Sequence, residues 1–369
     1  LYLGVARSAA VEEPRSGTSA FRHERTVTLG GPAPREWSGE PFAVDPDGYY
    51  RVVLVSRSAE HGHAALIYSD AAGQTLVADN YDRIGAADDW TAAIAYAQPP
   101  PTAVTARLKL LAGGSAAFDM REVRVDRVPE AEASDWVAGV LGRLPPIAAG
   151  ADEGAGSGLS QTRRRLAAGV PLRAVFLGDS IMNDIGNGLP ALQIRRRCPG
   201  AAVTVISSVR GSSGCPVYQQ EGQVREAVLN HAPDLVVIGG ISHNYDIDSI
   251  RSVIRQIRAV PAVEILVMTG AVRPETQTRE RLLLTEPSLV AAAERVCAFA
   301  RGLAALPREE GVVFFDLRRA WDRWLAASGY PTAVFMRDAV HANRVGKLVL
   351  GALVAEAICG EAQTRCRSA

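Results

Sequence analysis

The pattern of apolar and polar positions changes rhythm near the middle of the chain. Before about residue 130, apolar residues come in short runs, several alternating with polar ones. These are Tyr50-Arg51-Val52-Val53-Leu54-Val55, Ala64-Ala65-Leu66-Ile67-Tyr68, Thr105-Ala106-Arg107-Leu108-Lys109-Leu110 and Met120-Arg121-Glu122-Val123-Arg124-Val125. Turn chemistry lies between them at Asp45-Pro46-Asp47-Gly48, His61-Gly62-His63, Ala72-Gly73 and Ala112-Gly113-Gly114. Short strands without helical periodicity between them predict an antiparallel β-sandwich over residues 22–130.

From about residue 172 apolar runs alternate with helical patterns. Five runs read as strands: Arg173-Ala174-Val175-Phe176-Leu177, Ala202-Val203-Thr204-Val205-Ile206, Leu235-Val236-Val237-Ile238, Glu264-Ile265-Leu266-Val267-Met268 and Val312-Val313-Phe314-Phe315. Continuous apolar runs of this kind are buried on both faces of a parallel sheet. After Asp248, the spacing of Ile250, Val253, Ile254 and Ile257 gives one face of a helix. The alternation predicts an α/β domain over 170–360, a doubly wound parallel sheet with helices on both faces. Ligands of such domains gather at the carboxyl ends of the strands. Residues 131–169, with Pro145-Pro146 and Gly154-Ala155-Gly156-Ser157-Gly158, read as a linker with short helices. Residues 1–21 carry Ser, Gly and Pro and read as a loose or strand-exchanged arm.

The first strand of the α/β half runs directly into Leu177-Gly178-Asp179-Ser180-Ile181. A serine at this junction sits where the next helix presents free N–H groups, which favour a developing oxyanion. Asp179 or Ser180 could equally serve only as the helix cap. The surroundings are not the G-x-S-x-G elbow of the α/β-hydrolases. Far downstream, Arg337-Asp338-Ala339-Val340-His341-Ala342-Asn343 precedes a last helical pattern carrying Val345, Leu348 and Val349. Neutral imidazole is a suitable base for a serine hydroxyl, and an Asp three residues earlier can turn back to orient it. The bland reading makes Asp338 a helix cap and His341 a surface residue.

Taken together, Gly178-Asp179-Ser180 near the start of a roughly 200-residue α/β domain and Asp338-x-x-His341 near its end resemble the SGNH (GDSL-type) hydrolases. The resemblance spans about residues 170–358. It implies Ser180 as nucleophile, His341 as base and Asp338 as its partner, with no cofactor. It also implies an oxyanion hole of the Ser180 and Gly214 backbone N–H groups and a side-chain donor. Gly214, in Val209-Arg210-Gly211-Ser212-Ser213-Gly214, is the better match and Gly211 the alternative. The block that carries asparagine in the family departs from its G-x-N-D pattern, reading Gly239-Gly240-Ile241-Ser242-His243-Asn244-Tyr245-Asp246. The side-chain donor is therefore His243 by ungapped count, Asn244 with a one-residue bulge, or Ser242. A rival arrangement makes His243 the base, with Asp246 and Asp248 near it in sequence, but no family pattern supports it.

The first half resembles the jelly-roll carbohydrate-binding modules that accompany polysaccharide-active enzymes, through strand spacing and turn chemistry alone. Trp37, Tyr49, Tyr81 and Trp90 are the aromatic candidates for stacking on sugar, against the ordinary alternative of core packing. The combination implies a carbohydrate esterase, chiefly a deacetylase. An O-acyltransferase using the same residues and a non-catalytic carbohydrate-binding protein remain open beside it.

Composition adds limits. Forty basic residues balance forty acidic ones, so charge points to neither nucleic acid nor an anionic membrane as partner. The substrate class expected is a small-molecule or polysaccharide ester; the oligomeric state is left open. No stretch approaches the ~20 apolar residues that cross a bilayer. The chain opens Leu1-Tyr2-Leu3-Gly4 without methionine, compatible with a signal peptide already removed, and the substrate class makes a secreted or periplasmic location the expectation. The five cysteines show no metal spacing, with Cys198–Cys215 and Cys359–Cys366 as the candidate disulfides. His61-Gly62-His63 lacks a third ligand, and no metal is expected.

Overall fold

The computed structural model describes residues 17–30, 33, 35–58, 60–84, 87–113, 117–147, 158–260, 262–271 and 286–360. The chain divides into two compact units. One comprises residues 1–143 with 333–337 and 343–345; the other comprises 144–332 with 338–342 and 346–369.

The first unit is a β-sandwich. Its strands are β1 (Thr18–His23), β2 (Val27–Leu29), β3 (Glu36–Ser38), β4 (Phe42–Ala43), β5 (Tyr49–Ser58), β6 (Gly62–Ser69), β7 (Thr75–Ile84), β8 (Ala87–Ala97), β9 (Thr105–Ala112) and β10 (Phe118–Val128). One antiparallel sheet has the order β1-β10-β5-β8, with β2 also on β10; the other has β3-β9-β6-β7, with β4 on β9. Alternation puts Val52, Leu54, Val123 and Val125 of the first sheet into one core with Leu66, Tyr68, Leu108 and Leu110 of the second. The four strands read from the sequence lie within β5, β6, β9 and β10. His61-Gly62-His63, expected as a turn, instead runs into β6, where His63 pairs across to Arg83 and Leu111.

A helix, α1 (Glu130–Leu141), closes this unit. Its Glu132 accepts from Arg51 (3.2 Å) and from the Tyr96 hydroxyl (2.8 Å), while Arg51 also pairs with Asp126 at 2.8 Å. Arg124 stands 3.0 Å from the same Asp126 carboxylate. Trp136 of α1 packs on Tyr96 with ring centroids 4.9 Å apart. The arm expected over 1–21 is partly strand, since β1 pairs with β10 in its own unit; residues 1–16 lie outside the described residues.

The second unit contains a five-stranded, wholly parallel sheet: β11 (Leu172–Gly178), β12 (Val203–Val209), β13 (Leu235–Ile238), β14 (Glu264–Met268) and β15 (Val313–Phe315), in the order β12-β11-β13-β14-β15. Its helices are α2 (Ser160–Ala167), α3 (Ser180–Gly186), α4 (Pro190–Arg197), α5 (Cys215–Tyr218), α6 (Gln223–Ala227), α7 (Ile247–Ile257), α8 (Glu286–Glu310), α9 (Leu317–Ser328) and α10 (Arg344–Cys359). Val175, Leu177, Val236 and Ile238 join a core with Tyr218, Ile250, Ile254 and Leu306. Ala174, Phe176, Leu235 and Val237, which alternate with them, are equally buried, so the sheet is covered on both faces. Residues 131–169 are divided between the units, α1 in the first and α2 in the second; residues 148–157 lie outside the described residues.

Of the two candidate cysteine pairs, Cys198–Cys215 is not formed, and Cys359–Cys366 lies partly outside the described residues. Cys198, at the end of α4, faces Cys359 in the last turn of α10, sulfur to sulfur 2.9 Å, both as free thiols. Cys215 is buried in α5, and Cys366 lies outside the described residues. Trp321 and Trp324 stack within α9 at 5.6 Å, both buried.

Asp126 is the nearest counter-charge of two buried arginines; without it Arg51 keeps only Glu132, and Arg124 only Glu122 at 3.8 Å. Asp126→Ala is therefore expected to destabilise the first unit by about 3 kcal/mol. Urea denaturation of the two proteins checks this, and a change within 1 kcal/mol (roughly the worth of an exposed pair) would contradict it.

Candidate active site

The site forms at the carboxyl ends of β11, β12 and β13. β11 ends at Gly178, and Asp179 caps α3 from extended backbone. Its buried carboxylate accepts the Ile181 N–H at 2.9 Å, as a cap does. It also accepts the N–H groups of Ile241 and Ser242, each at 2.7 Å, in the loop that follows β13. Asp179 is thus a cap and a clamp between two loops. Gly240 permits this approach: its φ is +108°, and a Cβ there would stand 2.5 Å from Asp179 Oδ1.

Ser180 is the first residue of α3. Its Oγ lies 2.8 Å from His341 Nε2. The other ring nitrogen of His341, Nδ1, lies 2.8 Å from Asp338 Oδ2 and 3.0 Å from Oδ1. An ionised carboxylate only accepts, so Nδ1 carries the proton in this arrangement and a neutral ring leaves Nε2 to accept from the serine hydroxyl. Asp338 Oδ1 further accepts the N–H groups of Val340 and His341, at 2.9 and 2.8 Å. Burial pushes the Asp338 carboxyl up, but these hydrogen bonds and the electrostatic pull of the adjacent His341 ring outweigh it and hold the group well below the usual carboxylate range.

Gly214 precedes α5 in the loop after β12. A Cβ there would stand 2.3 Å from Ser242 O and 2.8 Å from His243 N, so glycine is what lets the loops after β12 and β13 meet. A Cβ on Gly211 would meet nothing within 4 Å. Between the two candidates, the structure gives a steric reason for Gly214 alone.

The His243 ring faces inward. Nδ1 accepts the Cys215 N–H at 3.2 Å, and Nε2 lies 3.2 Å from Gly239 O, to which it donates in the tautomer that leaves Nδ1 free to accept. Burial draws its pKa below the ordinary imidazole value, with Asp179, the Gly239 carbonyl and Asp246 opposing, and the neutral ring suits both bonds. The reading of His243 as an oxyanion donor therefore meets a ring whose two nitrogens already serve the main chain, and the rival reading as base meets the same obstacle. The Ser242 N–H is held by Asp179. Asn244 is exposed at φ +54°, a left-handed conformation that Asn tolerates.

Asp246, placed beside His243 in the rival arrangement, caps α7 through the Ser249 N–H at 3.0 Å. Two positions went unseen in the sequence. The Tyr218 hydroxyl donates to Gly178 O at 2.8 Å, its pKa pushed up to about 12 chiefly by burial. Asp184, on α3, accepts the Ala342 N–H at 2.9 Å.

No family model and no curated protein sequence matches the chain. Solved structures that resemble it include a two-domain esterase active on acetylated mannans, at 15% identity and a TM-score of 0.42, over 56% of this chain and 55% of that one. The match thus spans about half of that esterase. A peptidoglycan O-acetylesterase resembles it over 97% of this chain and 80% of that one, at 12% identity and a TM-score of 0.32. A protein of the lipolytic G-D-S-L family from Desulfitobacterium hafniense DCB-2 covers 50% of this chain with 99% of its own, at 12% identity and a TM-score of 0.36. At these scores the likeness is one of outline, and the roles of residues rest on the chain's own geometry.

The aromatic candidates of the sandwich separate. Tyr49 is buried and donates to Gln98 at 3.3 Å, and Trp37 packs against the core beside His23. Trp90 is half-buried with the Arg57 and Arg121 guanidinium groups 4.9 and 5.0 Å from its ring centre. The side chain of Tyr81 lies outside the described residues. Among the described residues no cluster of three His, Cys, Asp or Glu side chains is placed to hold a metal, and no helix is long and apolar enough to cross a membrane.

Asp338 generates a pH prediction. Its native pKa is depressed, so ionised Asp338 adds stability that is fully present above its unfolded value, about pH 3.9. That contribution drains away as the pH falls toward the native pKa. Asp338→Asn removes this component, so its urea midpoint should fall less steeply with acid than that of the wild type. Because the carboxylate is half-exposed, the difference is modest. Parallel pH profiles of the two midpoints would contradict it.

Proposed function

We propose that the protein is a serine ester hydrolase that removes acyl groups, chiefly acetyl, from an O-acylated carbohydrate. The observation that carries the hydrolase reading is the unbroken chain from Ser180 Oγ through His341 to Asp338, with 2.8 Å at each hydrogen-bonded step. Ser180 Oγ attacks the ester carbonyl carbon while its proton passes to His341 Nε2. Asp338 holds the ring and stabilises the imidazolium that forms. The Ser180 and Gly214 backbone N–H groups, joined by the Asn244 amide rather than His243, receive the oxyanion. Collapse expels the sugar oxygen, which takes the proton from His341. Water, deprotonated by the same imidazole, then hydrolyses the acyl-enzyme to release acetate and restore Ser180.

The carbohydrate part of the reading has separate support. The strand orders β1-β10-β5-β8 and β3-β9-β6-β7 support a jelly-roll reading of the sandwich, the architecture expected of a carbohydrate-binding module. The parallel sheet, with Ser180 after its first strand, supports an SGNH-type reading of the second unit. A polysaccharide substrate places the activity outside the cytoplasm, secreted or periplasmic.

Wild-type protein should hydrolyse 4-nitrophenyl acetate and release acetate from acetylated polysaccharide. Ser180→Ala and His341→Ala should each lose roughly 10³-fold or more in kcat while remaining folded. Equal turnover by wild type and Ser180→Ala, or none by either, would refute the reading. Transfer of the acyl group to an added sugar in preference to water would mark an acyltransferase instead.

A further inference from the structure

A buried carboxylate lies one helical turn beyond Ser180. Asp184 is 1% exposed, on the same short helix, four residues along and so on the same face. Its Oδ2 accepts the backbone N–H of Ala342 at 2.9 Å, and Ala342 is itself buried and directly follows His341. Thus α3 meets the segment 341–342 at two points about one turn apart: Ser180 Oγ with His341 Nε2, and Asp184 with the main chain of the next residue.

Burying a carboxylate is unfavourable without compensating hydrogen bonds. An apolar residue could fill the space, but it would leave the Ala342 N–H without this acceptor. Asp338 arranges the loop from within, through the N–H groups of Val340 and His341. Those bonds stay within the loop, whereas the Asp184 bond joins it to the helix carrying Ser180.

We propose that Asp184 is a positioning residue that fixes the His341 loop against the nucleophile helix and so holds the imidazole in reach of Ser180 Oγ. The proposal rests on the Ser180–His341 reading above. A side chain that holds the base in place changes the chemical step and leaves substrate affinity largely alone.

The test follows 4-nitrophenyl acetate turnover and the rate of Ser180 labelling by a fluorophosphonate, with folding checked by circular dichroism. Asp184→Ala should lower kcat by about 10–100-fold with KM within about twofold, and should slow labelling in proportion. Asp184→Asn keeps an acceptor oxygen in place and should recover most of the loss. In a His341→Ala background, Asp184→Ala should cause no further fall, because a residue acting through His341 has nothing left to position. A merely structural role would depress both backgrounds alike. Hydrogen exchange in the wild type gives a readout that needs no variant: the Ala342 amide should be protected although it lies outside helix and strand. Unchanged kcat in Asp184→Ala, additive losses with His341→Ala, no recovery in Asp184→Asn, or a rapidly exchanging Ala342 amide would each overturn the proposal. If Ser180→Ala retains wild-type turnover, the ester-hydrolase reading falls and this one with it. Ser180-dependent turnover that ignores Asp184 sinks this one alone.

Discussion

The site depends on one carboxylate that bonds only to main chain. Asp179 accepts three backbone N–H groups, one from its own helix and two from the loop after β13. Charge-assisted bonds of this kind are stronger than neutral ones, and here they join two segments more than sixty residues apart. Once that loop is fixed, Gly214 can pack against Ser242, and the His243 ring can bridge Cys215 and Gly239. Each contact presupposes the previous one. The loops around Ser180 are therefore built outward from the residue beside it.

This construction leaves backbone strain near the site. Ser212, Asn244 and Tyr245 all have positive φ, at +55°, +54° and +58°. For tyrosine that conformation is uncommon, and such residues cost of order 1–3 kcal/mol each. They flank Gly214 and His243, the points where the loops are pressed together. The hydrogen bonds to Asp179 and His243 offset that strain and keep the loops from relaxing into easier turns.

What could be read from the sequence follows from which interactions are local. The continuous apolar runs of β5, β11 and β13 announce themselves because burial on a sheet selects such residues. β8 does not: Ala87-Asp88-Asp89-Trp90-Thr91-Ala92-Ala93-Ile94 is rich in alanine and aspartate, and it is strand because β5 pairs along its length. Ser180 and the Asp338–His341 pair were legible because each sits in a short motif whose spacing follows from its chemistry. Asp184 and Tyr218 were not, since each bonds to a main-chain group 158 or 40 residues away, and backbone acceptors and donors leave no trace in residue identity. His243 misled for a related reason. Its place in the chain matches a donor, but burial turned both its nitrogens toward the backbone.

The stacked pair Trp321–Trp324 gives the α/β unit an optical signature of its own. Two indoles held this close couple electronically, and the coupling vanishes when helix α9 frays. Trp37, Trp90 and Trp136 belong to the first unit, so the five tryptophans divide between the units, and among the described residues the first unit holds no stacked tryptophan pair. Circular dichroism from the coupled pair and total indole emission would coincide through an unfolding transition if the protein melts as one cooperative body, and would separate if each unit melts alone. The molecule thus carries, without labels, the means to tell whether one stability or two should be assigned to it.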